Sequence, residues 1–220
     1  TAAGSVSPDC AEVLSAIVET RLAFLISGGT GSGKTTLLTA LLGLVDPAER
    51  LVLVEDASEL RPAHPHVLGL EARPPNIEGA GEITLHTLVR QALRMRPDRL
   101  VVGEVRGAEV VDLMAALNTG HAGGCGTLHA NSAGDVPARI EALAAAAGLP
   151  REAAHSQLAS ALDVVIHMSR APDGRRQVTQ VGVPVRSDSG AVAIAAAVEF
   201  GPDGRMTRGP ASARLAERVG

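Results

Sequence analysis

Short, continuous apolar runs separated by polar or glycine-rich turns mark the first half of the chain. Residues 22–27, 51–54 and 100–103 each form such a run, with no regular alternation of apolar and polar positions. Unbroken runs of this length are typical of strands that are buried on both faces of a parallel sheet. Residues 36–42 are good helix formers, and apolar positions recur at helical spacing in residues 83–95. This order of strands and helices predicts an α/β fold around a largely parallel central sheet.

The last third of the chain has a different pattern, with alanine-rich helices followed by strands and tight turns. The elements predicted there are helices at 137–143 and 153–162 and strands at 164–168, 177–185 and 191–200. Asp-Gly pairs at 173–174 and 203–204 are typical of hairpin turns. The pattern therefore predicts a C-terminal antiparallel extension of the sheet.

These elements define the expected domain organisation. We predict a linker or helical lead-in over residues 1–20, an α/β domain over 21–200 and a polar C-terminal tail over 201–220. Residues 61–82 are rich in Pro, Gly and Glu, and we expect them to form a long irregular loop.

A glycine-rich loop stands between the first predicted strand and the first predicted helix. It matches the pattern G-x-x-x-x-G-K-[ST] with the residues Gly28, Gly29, Thr30, Gly31, Ser32, Gly33, Lys34 and Thr35. Glycines let backbone N–H groups turn inward around a phosphate at the positive end of the helix dipole. In this pattern Lys34 reaches the β- and γ-phosphates, Thr35 ligates Mg²⁺ and Thr36 continues the helix start beside the nucleotide. The sequence therefore predicts a site for ATP and Mg²⁺.

Lys34 also stands out in the composition of the chain. It is the only lysine among 20 lysine and arginine residues. A lysine presents a compact ammonium on a flexible stem, whereas an arginine presents a planar fork. We interpret its retention inside the glycine loop as a requirement for that compact charge.

Acidic residues follow two of the apolar runs. Glu55 and Asp56 come directly after residues 51–54, and Glu104 comes directly after residues 100–103. A parallel sheet places its catalytic groups at the carboxyl ends of its strands. Hydrolysis of a triphosphate needs an acid that organises the metal and the attacking water. Both Glu55 and Glu104 are candidates, and the sequence leaves open which is chiefly the base.

Basic residues and histidines are further candidates for functional residues near the phosphate site. Arg90 and Arg94 lie one turn apart on the helix predicted at 83–95, so that both can face the same side. His121 and His129 flank a short predicted strand within residues 118–132. Near a phosphate site these groups are candidates for sensing the γ-phosphate, positioning water or contacting a second subunit. The alternative is a solvated helix face and ordinary hydrogen-bonded histidines.

Composition narrows the function further. The chain has 220 residues, a net charge of −4, 1% aromatic residues and neither Trp nor Tyr. Binding of single-stranded nucleic acid uses aromatic stacking platforms and a basic groove, so this composition disfavours it. No apolar run approaches the roughly 18–20 residues that cross a bilayer. Two cysteines indicate a reducing cytosol rather than a disulfide scaffold, and the absence of an initiator Met indicates a piece of a longer protein.

Taken together, the motifs resemble those of the ATPases of type II and type IV secretion systems. The resemblance covers about residues 13–168 and rests on residues 28–35, 55–56, 100–106 and 119–132, in that order. The sequences of residues 94–107, 118–121 and 128–132 are similar to those of the CpaF-like branch, which is also called TadA-type after tight-adherence pili. The sequence is therefore similar to the C-terminal ATPase domain of that branch.

The resemblance implies a RecA-like P-loop core that works as a homo-hexameric ring on the cytoplasmic face of the inner membrane. Its family hydrolyses ATP with Mg²⁺ to power pilus assembly or substrate export, together with inner-membrane platform proteins. No nucleic-acid partner is expected. Members carry an N-terminal domain that closes over the nucleotide, so residues 1–20 are expected to lead in from a missing domain. Without that domain we expect slow turnover, because part of the wall that excludes water is missing.

The resemblance also implies individual roles. By this resemblance, residues 28–35 correspond to the Walker A loop, and Glu55 and Asp56 correspond to the Asp box. Glu104 corresponds to the acid of Walker B, and His129 corresponds to the histidine of the His box. Mg²⁺ would be held by Thr35, Glu55 and Glu104, directly or through water. Candidates for a phosphate sensor or an interface residue are Arg90, Arg94, Arg106 and His121.

Two other functions remain open on the same core. One is a nucleic-acid translocase, which would show ATPase activity stimulated by DNA or RNA and a basic groove. The other is an assembly scaffold that binds nucleotide without significant turnover.

Overall fold

The computed structural model describes residues 6–220, which form alternating helices and strands. The elements in chain order are α1 (Pro8–Glu19), β1 (Phe24–Gly28), α2 (Lys34–Leu42), β2 (Leu51–Glu55), β3 (Val67–Glu71), α3 (Leu85–Leu93), β4 (Arg99–Val105), α4 (Glu109–Asn118), β5 (Cys125–Leu128), a 3₁₀ turn (Ala133–Asp135), α5 (Val136–Ala146), α6 (Arg151–Ala161), β6 (Val164–Arg170), β7 (Arg176–Arg186), β8 (Val192–Phe200), β9 (Met206–Arg208) and α7 (Ser212–Val219).

All nine described strands belong to one sheet with the order β3-β2-β4-β5-β1-β6-β7-β8-β9. The first six strands in this order pair in parallel. From β6 onward the pairing is antiparallel. The predicted α/β class, with its parallel core and antiparallel extension, is therefore confirmed. Strand β1 lies between β5 and β6 and is the fifth of the nine strands, so the loop that follows it is at the middle of the sheet.

Helices cover both faces of this sheet. Alternate residues of the strands, such as Leu51 and Leu53, pack with α1, α2 and α7 on one face. Their neighbours, such as Val52 and Val54, pack with α3, α4, α5 and α6 on the other face. Because both faces are buried, the strands read as continuous apolar runs rather than alternating ones. Within residues 6–220 no helix is long and apolar enough to cross a membrane.

Three segments differ from the sequence-based expectation. The supposed irregular loop at 61–82 contains β3, a partly exposed edge strand that pairs with β2. Helix α4 is absent from the predicted elements, although Val110, Leu113 and Met114 recur at helical spacing and are buried. The expected polar tail forms β9 and α7, and its Leu215 packs into the core.

A buried ion pair connects α1 to this core. The side chain of Arg99 at the start of β4 is only 2% exposed, and its Nε donates to Glu49 Oε2 at 2.8 Å. Its Nη2 donates to Glu49 Oε1 at 3.0 Å and to the Val18 carbonyl at 2.9 Å. The guanidinium therefore binds one carboxylate with both arms of its fork and also satisfies a carbonyl at the end of α1.

We expect Arg99→Met to lower the free energy of unfolding by about 3 kcal/mol, since it leaves a largely buried carboxylate with only the more exposed Arg21 as a partner. Urea unfolding followed by circular dichroism measures this change. Arg151→Met is the matched control, because Arg151 makes a similar Nε–carboxylate pair with Glu141 but is 65% exposed. Equal losses in the two variants would contradict the assigned role of the buried pair.

Candidate nucleotide-binding site

The glycine loop has the backbone geometry that its sequence predicts. Strand β1 ends at Gly28, and α2 begins at Lys34 with Gly33 as its N-cap. Gly31 and Gly33 have φ values of 71° and 96°, which only glycine adopts without strain. The loop therefore brings its N–H groups to the N-terminus of α2, where the helix dipole favours an anion.

The side chain of Lys34 folds back over this loop. Its Nζ donates to the carbonyls of Gly28 at 3.0 Å and Gly29 at 3.1 Å. Burial lowers the pKa of the ammonium; the charge of Glu104 opposes this effect and that of Arg106 adds to it. Charged phosphate oxygens are stronger partners for an ammonium than neutral carbonyls. Lys34 is thus placed at the loop with partners that a phosphate can replace.

A cavity of about 300 Å³ opens directly beside the loop. Its lining residues are Thr30, Gly31, Gly33, Lys34, Thr35, Thr36, Glu104, Arg106 and Arg176. Most of the predicted phosphate-binding residues and one of the two candidate acids therefore meet at one place. The remaining loop residues support it from behind, with Gly28 and Gly29 holding Lys34 and Ser32 buried beneath the loop.

Arg176 is the residue of this cavity that sequence reasoning missed. It begins β7, and its side chain lies against Gly33, where the Cδ atom would be 3.2 Å from a Cβ added to that glycine. Nothing in the local pattern of an Arg-Arg pair after an Asp-Gly turn marks it as a ligand. Only the pairing of β7 with β6, next to β1, brings it to the loop.

Glu104 faces the cavity as half of an ion pair. Arg106 donates from Nη2 to Glu104 Oε2, and its Nη1 lies 3.7 Å from Asp56 Oδ2. The carboxylate of Glu104 raises the pKa of Arg106, chiefly through this hydrogen bond. The guanidinium of Arg106 is therefore held between two acids, Glu104 and Asp56, at the edge of the site.

A further carboxylate fixes the turn that carries these groups. Glu109 is 5% exposed, and its Oε1 accepts from the backbone N–H of Arg106 at 2.6 Å and of Gly107 at 2.7 Å. This side chain at the start of α4 satisfies donors that a turn after a strand would otherwise leave unpaired. It sets the exit of the chain from β4 and was not among the predicted site residues.

Glu55 occupies a different environment from Glu104. It is 4% exposed, and its Oε1 accepts from the backbone N–H of Glu59 at 3.1 Å and of Leu60 at 2.9 Å. Its Cγ lies against Gly103 of β4, 2.8 Å from a Cβ added there. Glu55 is thus adjacent to the strand that carries Glu104, but it does not line the 300 Å³ cavity.

The other predicted residues lie outside the cavity. Arg90 and Arg94 are exposed at the end of α3. His129 is exposed directly after β5, at the same edge of the sheet as the glycine loop. His121 precedes β5 and lies at the opposite edge, where its Nδ1 is 3.2 Å from the Ala116 carbonyl. A phosphate-sensing role of His121 within one subunit is therefore not supported.

The residues present fit ATP and Mg²⁺. Ser32 Oγ is buried without a hydrogen-bond partner among the described residues, as in a loop built to close around a ligand. Within residues 6–220 no group of three or more His, Cys, Asp or Glu side chains forms a ready-made metal site. Mg²⁺ is usually held by few protein oxygens together with water and phosphate, and Thr35 and Glu104 present such oxygens in the cavity.

Solved structures share this fold. The VirB11 ATPase of the Brucella suis type IV secretion system, solved with sulphate, has a TM-score of 0.70 and 30% identity, over 79% of this chain and 53% of that one. The pilus retraction motor PilT with bound ADP has a TM-score of 0.57 at 22% identity, over 97% of this chain and 54% of that one, and shows the fold alone. The fold and the loop together define the class of secretion-type P-loop proteins.

The chain belongs to the family described as type II/IV secretion system protein, which matches residues 1–207. A putative conjugal transfer protein of Mycobacterium tuberculosis is 63% identical over 83% of this chain and 52% of its own length. PtlH, a type IV secretion system protein of Bordetella pertussis, is 37% identical over 74% of this chain and 50% of its own length. The chain therefore spans about half the length of the curated relatives it matches.

Proposed function

We propose that this chain is the ATP-hydrolysing motor domain of a type II or type IV secretion or pilus-assembly system. The observation that carries the proposal is the cavity in which Lys34, Thr35 and Glu104 meet at the carboxyl edge of a parallel sheet. An anion nest, an ammonium, a hydroxyl and an acid are the parts that in-line attack of water on a γ-phosphate requires.

Each part has a distinct task. The loop amides and Lys34 bind the β- and γ-phosphates and stabilise the charge that develops on them. Thr35 would hold Mg²⁺, with Glu104 and Glu55 acting directly or through water. Bound Mg²⁺ supplies neutralisation of phosphate charge. Because Glu104 lines the cavity and Glu55 does not, we assign Glu104 as the group that accepts the proton of water, while Glu55 holds the neighbouring backbone.

Two arginines complete the site from within one subunit. Arg106 can exchange its pair with Glu104 for a phosphate oxygen, because its side chain is 62% exposed and lines the cavity. Arg176 adds positive charge over the N-terminal end of α2. We propose that Arg106 responds to the γ-phosphate and that Arg176 binds the nucleotide beside Gly33.

The proposed oligomeric state, location and partners rest on the family to which the chain belongs. We infer a homo-hexamer at the cytoplasmic face of the inner membrane, working on membrane platform proteins, in which Arg90, Arg94, His121 and His129 are available to neighbouring subunits or domains. The CpaF-like branch stays a prediction. This chain spans about half the length of the curated relatives it matches, and we propose that the part of a relative outside that span completes the wall of the nucleotide site.

The test is phosphate release by the intact protein. We expect hydrolysis of ATP that needs Mg²⁺, is abolished by a chelator and is not stimulated by single- or double-stranded DNA. DNA belongs in the assay because relatives are named as conjugal transfer proteins. A rise of about tenfold or more with DNA, equivalent to about 1.4 kcal/mol of barrier, would favour the translocase. Nucleotide binding without turnover in the intact ring would favour the scaffold.

A further inference from the structure

Strand β4 contains one residue more than its neighbour β5 in the segment that carries Glu104. Val102 of β4 is in register with Gly126 of β5, whereas Val105 is in register with Leu128. Three steps along β4 therefore correspond to two steps along β5, which is the count of a β-bulge. The extra residue lies between the two paired valines.

This bulge decides which face of the sheet Glu104 serves. Side chains alternate along a regular strand, so Glu104 would lie on the same face as Val102, which packs with α3, α4, α5 and α6. Val105 packs on that face too, three positions after Val102, so the alternation has reversed between them. The reversal brings Glu104 to the face covered by α2, where it lines the cavity together with Thr35.

A buried threonine of β5 binds the bulge directly. Thr127 is 1% exposed, and its Oγ1 donates to the carbonyl of Gly103 at 2.7 Å. A bulge disrupts the regular ladder of backbone hydrogen bonds, so that a side-chain donor can take the place of a ladder partner. Space at Gly103 is also limited, because Glu55 Cγ lies 2.8 Å from a Cβ added there. The backbone directly before Glu104 is thus fixed by a hydroxyl of the neighbouring strand and by close packing against Glu55.

We propose that Thr127 is a positioning residue, whose hydroxyl holds the bulge of β4 in the conformation that turns Glu104 into the nucleotide cavity. The effect on turnover rests on the proposed ATPase function, whereas the bond between Thr127 and the bulge does not. Loss of this bond lets the backbone at Gly103 relax and displaces the carboxylate that follows it. Small displacements of catalytic groups have large effects on rate.

Substitutions at Thr127 separate its hydroxyl from its packing. Thr127→Val keeps the branched shape without the donor, whereas Thr127→Ser keeps the donor without the methyl group. In the intact protein we expect Thr127→Val to lower kcat by about tenfold or more while the KM for ATP changes by less than about twofold, as in a loss of positioning rather than of binding. Thr127→Ser should stay within about threefold of the wild-type kcat. A slower serine variant than valine variant would show that packing matters and the hydroxyl does not, which overturns the proposal.

A weaker donor at the same position covers the case in which the valine variant does not fold. Thr127→Cys replaces the hydroxyl by a thiol, which is a weak donor. We expect its kcat to lie below that of Thr127→Ser. Equal rates in the cysteine and serine variants, both folded, would contradict a role of the hydroxyl.

A double variant tests whether Thr127 acts through Glu104. Once Glu104 has become glutamine, the placement of its side chain no longer sets the rate, so the two changes should not add. We expect Glu104→Gln combined with Thr127→Val to hydrolyse ATP as slowly as Glu104→Gln alone. A further fall of about tenfold would mean that Thr127 acts on the site by another route.

Thr207→Val is the matched control. Thr207 Oγ1 also donates to a carbonyl of a neighbouring strand, that of Glu199 at 3.4 Å, but it lies in β9 at the far end of the sheet from the glycine loop. We expect its kcat to be unchanged. A fall equal to that of Thr127→Val would indicate a general effect of losing a threonine hydroxyl.

Amide hydrogen exchange of residues 103–105 tests the bond without any turnover. Exchange there should be faster in Thr127→Val than in the wild type, Thr127→Ser and Thr207→Val. Unchanged exchange in the valine variant, or an unchanged kcat, would overturn the proposal. If the wild-type protein hydrolyses no ATP, the proposed function fails, while the exchange result still decides whether Thr127 holds the bulge.

Discussion

Replacing Lys34 with alanine is expected to lower kcat for ATP hydrolysis by about 10²- to 10³-fold or more, since it removes a charged donor aimed at the transferred phosphate. The variant should also bind ATP more weakly, because the ammonium contacts the β- and γ-phosphates in the ground state as well. Phosphate release measures turnover, and calorimetry with Mg²⁺ present measures affinity. Normal hydrolysis by this variant would refute the phosphate-binding loop.

Lys34→Arg is the control for charge. It keeps a cation but replaces the compact ammonium by a planar fork that cannot sit between the Gly28 and Gly29 carbonyls in the same way. We expect it to be nearly as slow as Lys34→Ala. Since Lys34 is the only lysine, amine-reactive labelling followed by mass spectrometry reports its occupancy directly, and ATP should protect it.

The glycine loop could be predicted from the sequence because its chemistry is local. Gly31, Gly33, Lys34 and Thr35 lie within one turn of backbone, and the strand and helix on either side are signalled by their own apolar patterns. The position of Glu104 could be predicted for a related reason. Parallel strands deliver their carboxyl ends to one edge, so an acid after an apolar run reaches that edge in any order of strands.

Residues brought in by distant pairing could not be predicted in this way. Arg176 reaches the loop only because β6 pairs with β1 and β7 with β6. Register decides which side chain of each strand faces the loop, and a shift by one residue would turn it to the other face. Similarly, Glu55 and Glu104 look alike in sequence. Only the packing of the chain at residues 59–60 turns Glu55 toward backbone donors.

That difference leads to the second large effect, which is expected for Glu104→Gln. The amide keeps the shape of the side chain but cannot accept a proton from water, so kcat should fall by about 10²- to 10⁴-fold, the range for loss of a general base. ATP should still bind with little change in affinity, because Lys34 and the loop amides are intact. Single-turnover measurements should therefore show ATP that stays bound and uncleaved.

The variant Glu55→Gln distinguishes the role of Glu55 from that of Glu104. Its amide oxygen can still accept from the N–H groups of Glu59 and Leu60, so the fold around β2 should survive and kcat should fall much less than in Glu104→Gln. The reverse order of effects would assign the base to Glu55.

Because Arg106 pairs with Glu104, the variant Arg106→Gln is needed as a comparison for Glu104→Gln. If Arg106 only neutralises Glu104, its loss should slow hydrolysis less than the loss of the acid, whereas an equal loss with ATP bound normally would indicate that the pair acts as a unit on the γ-phosphate.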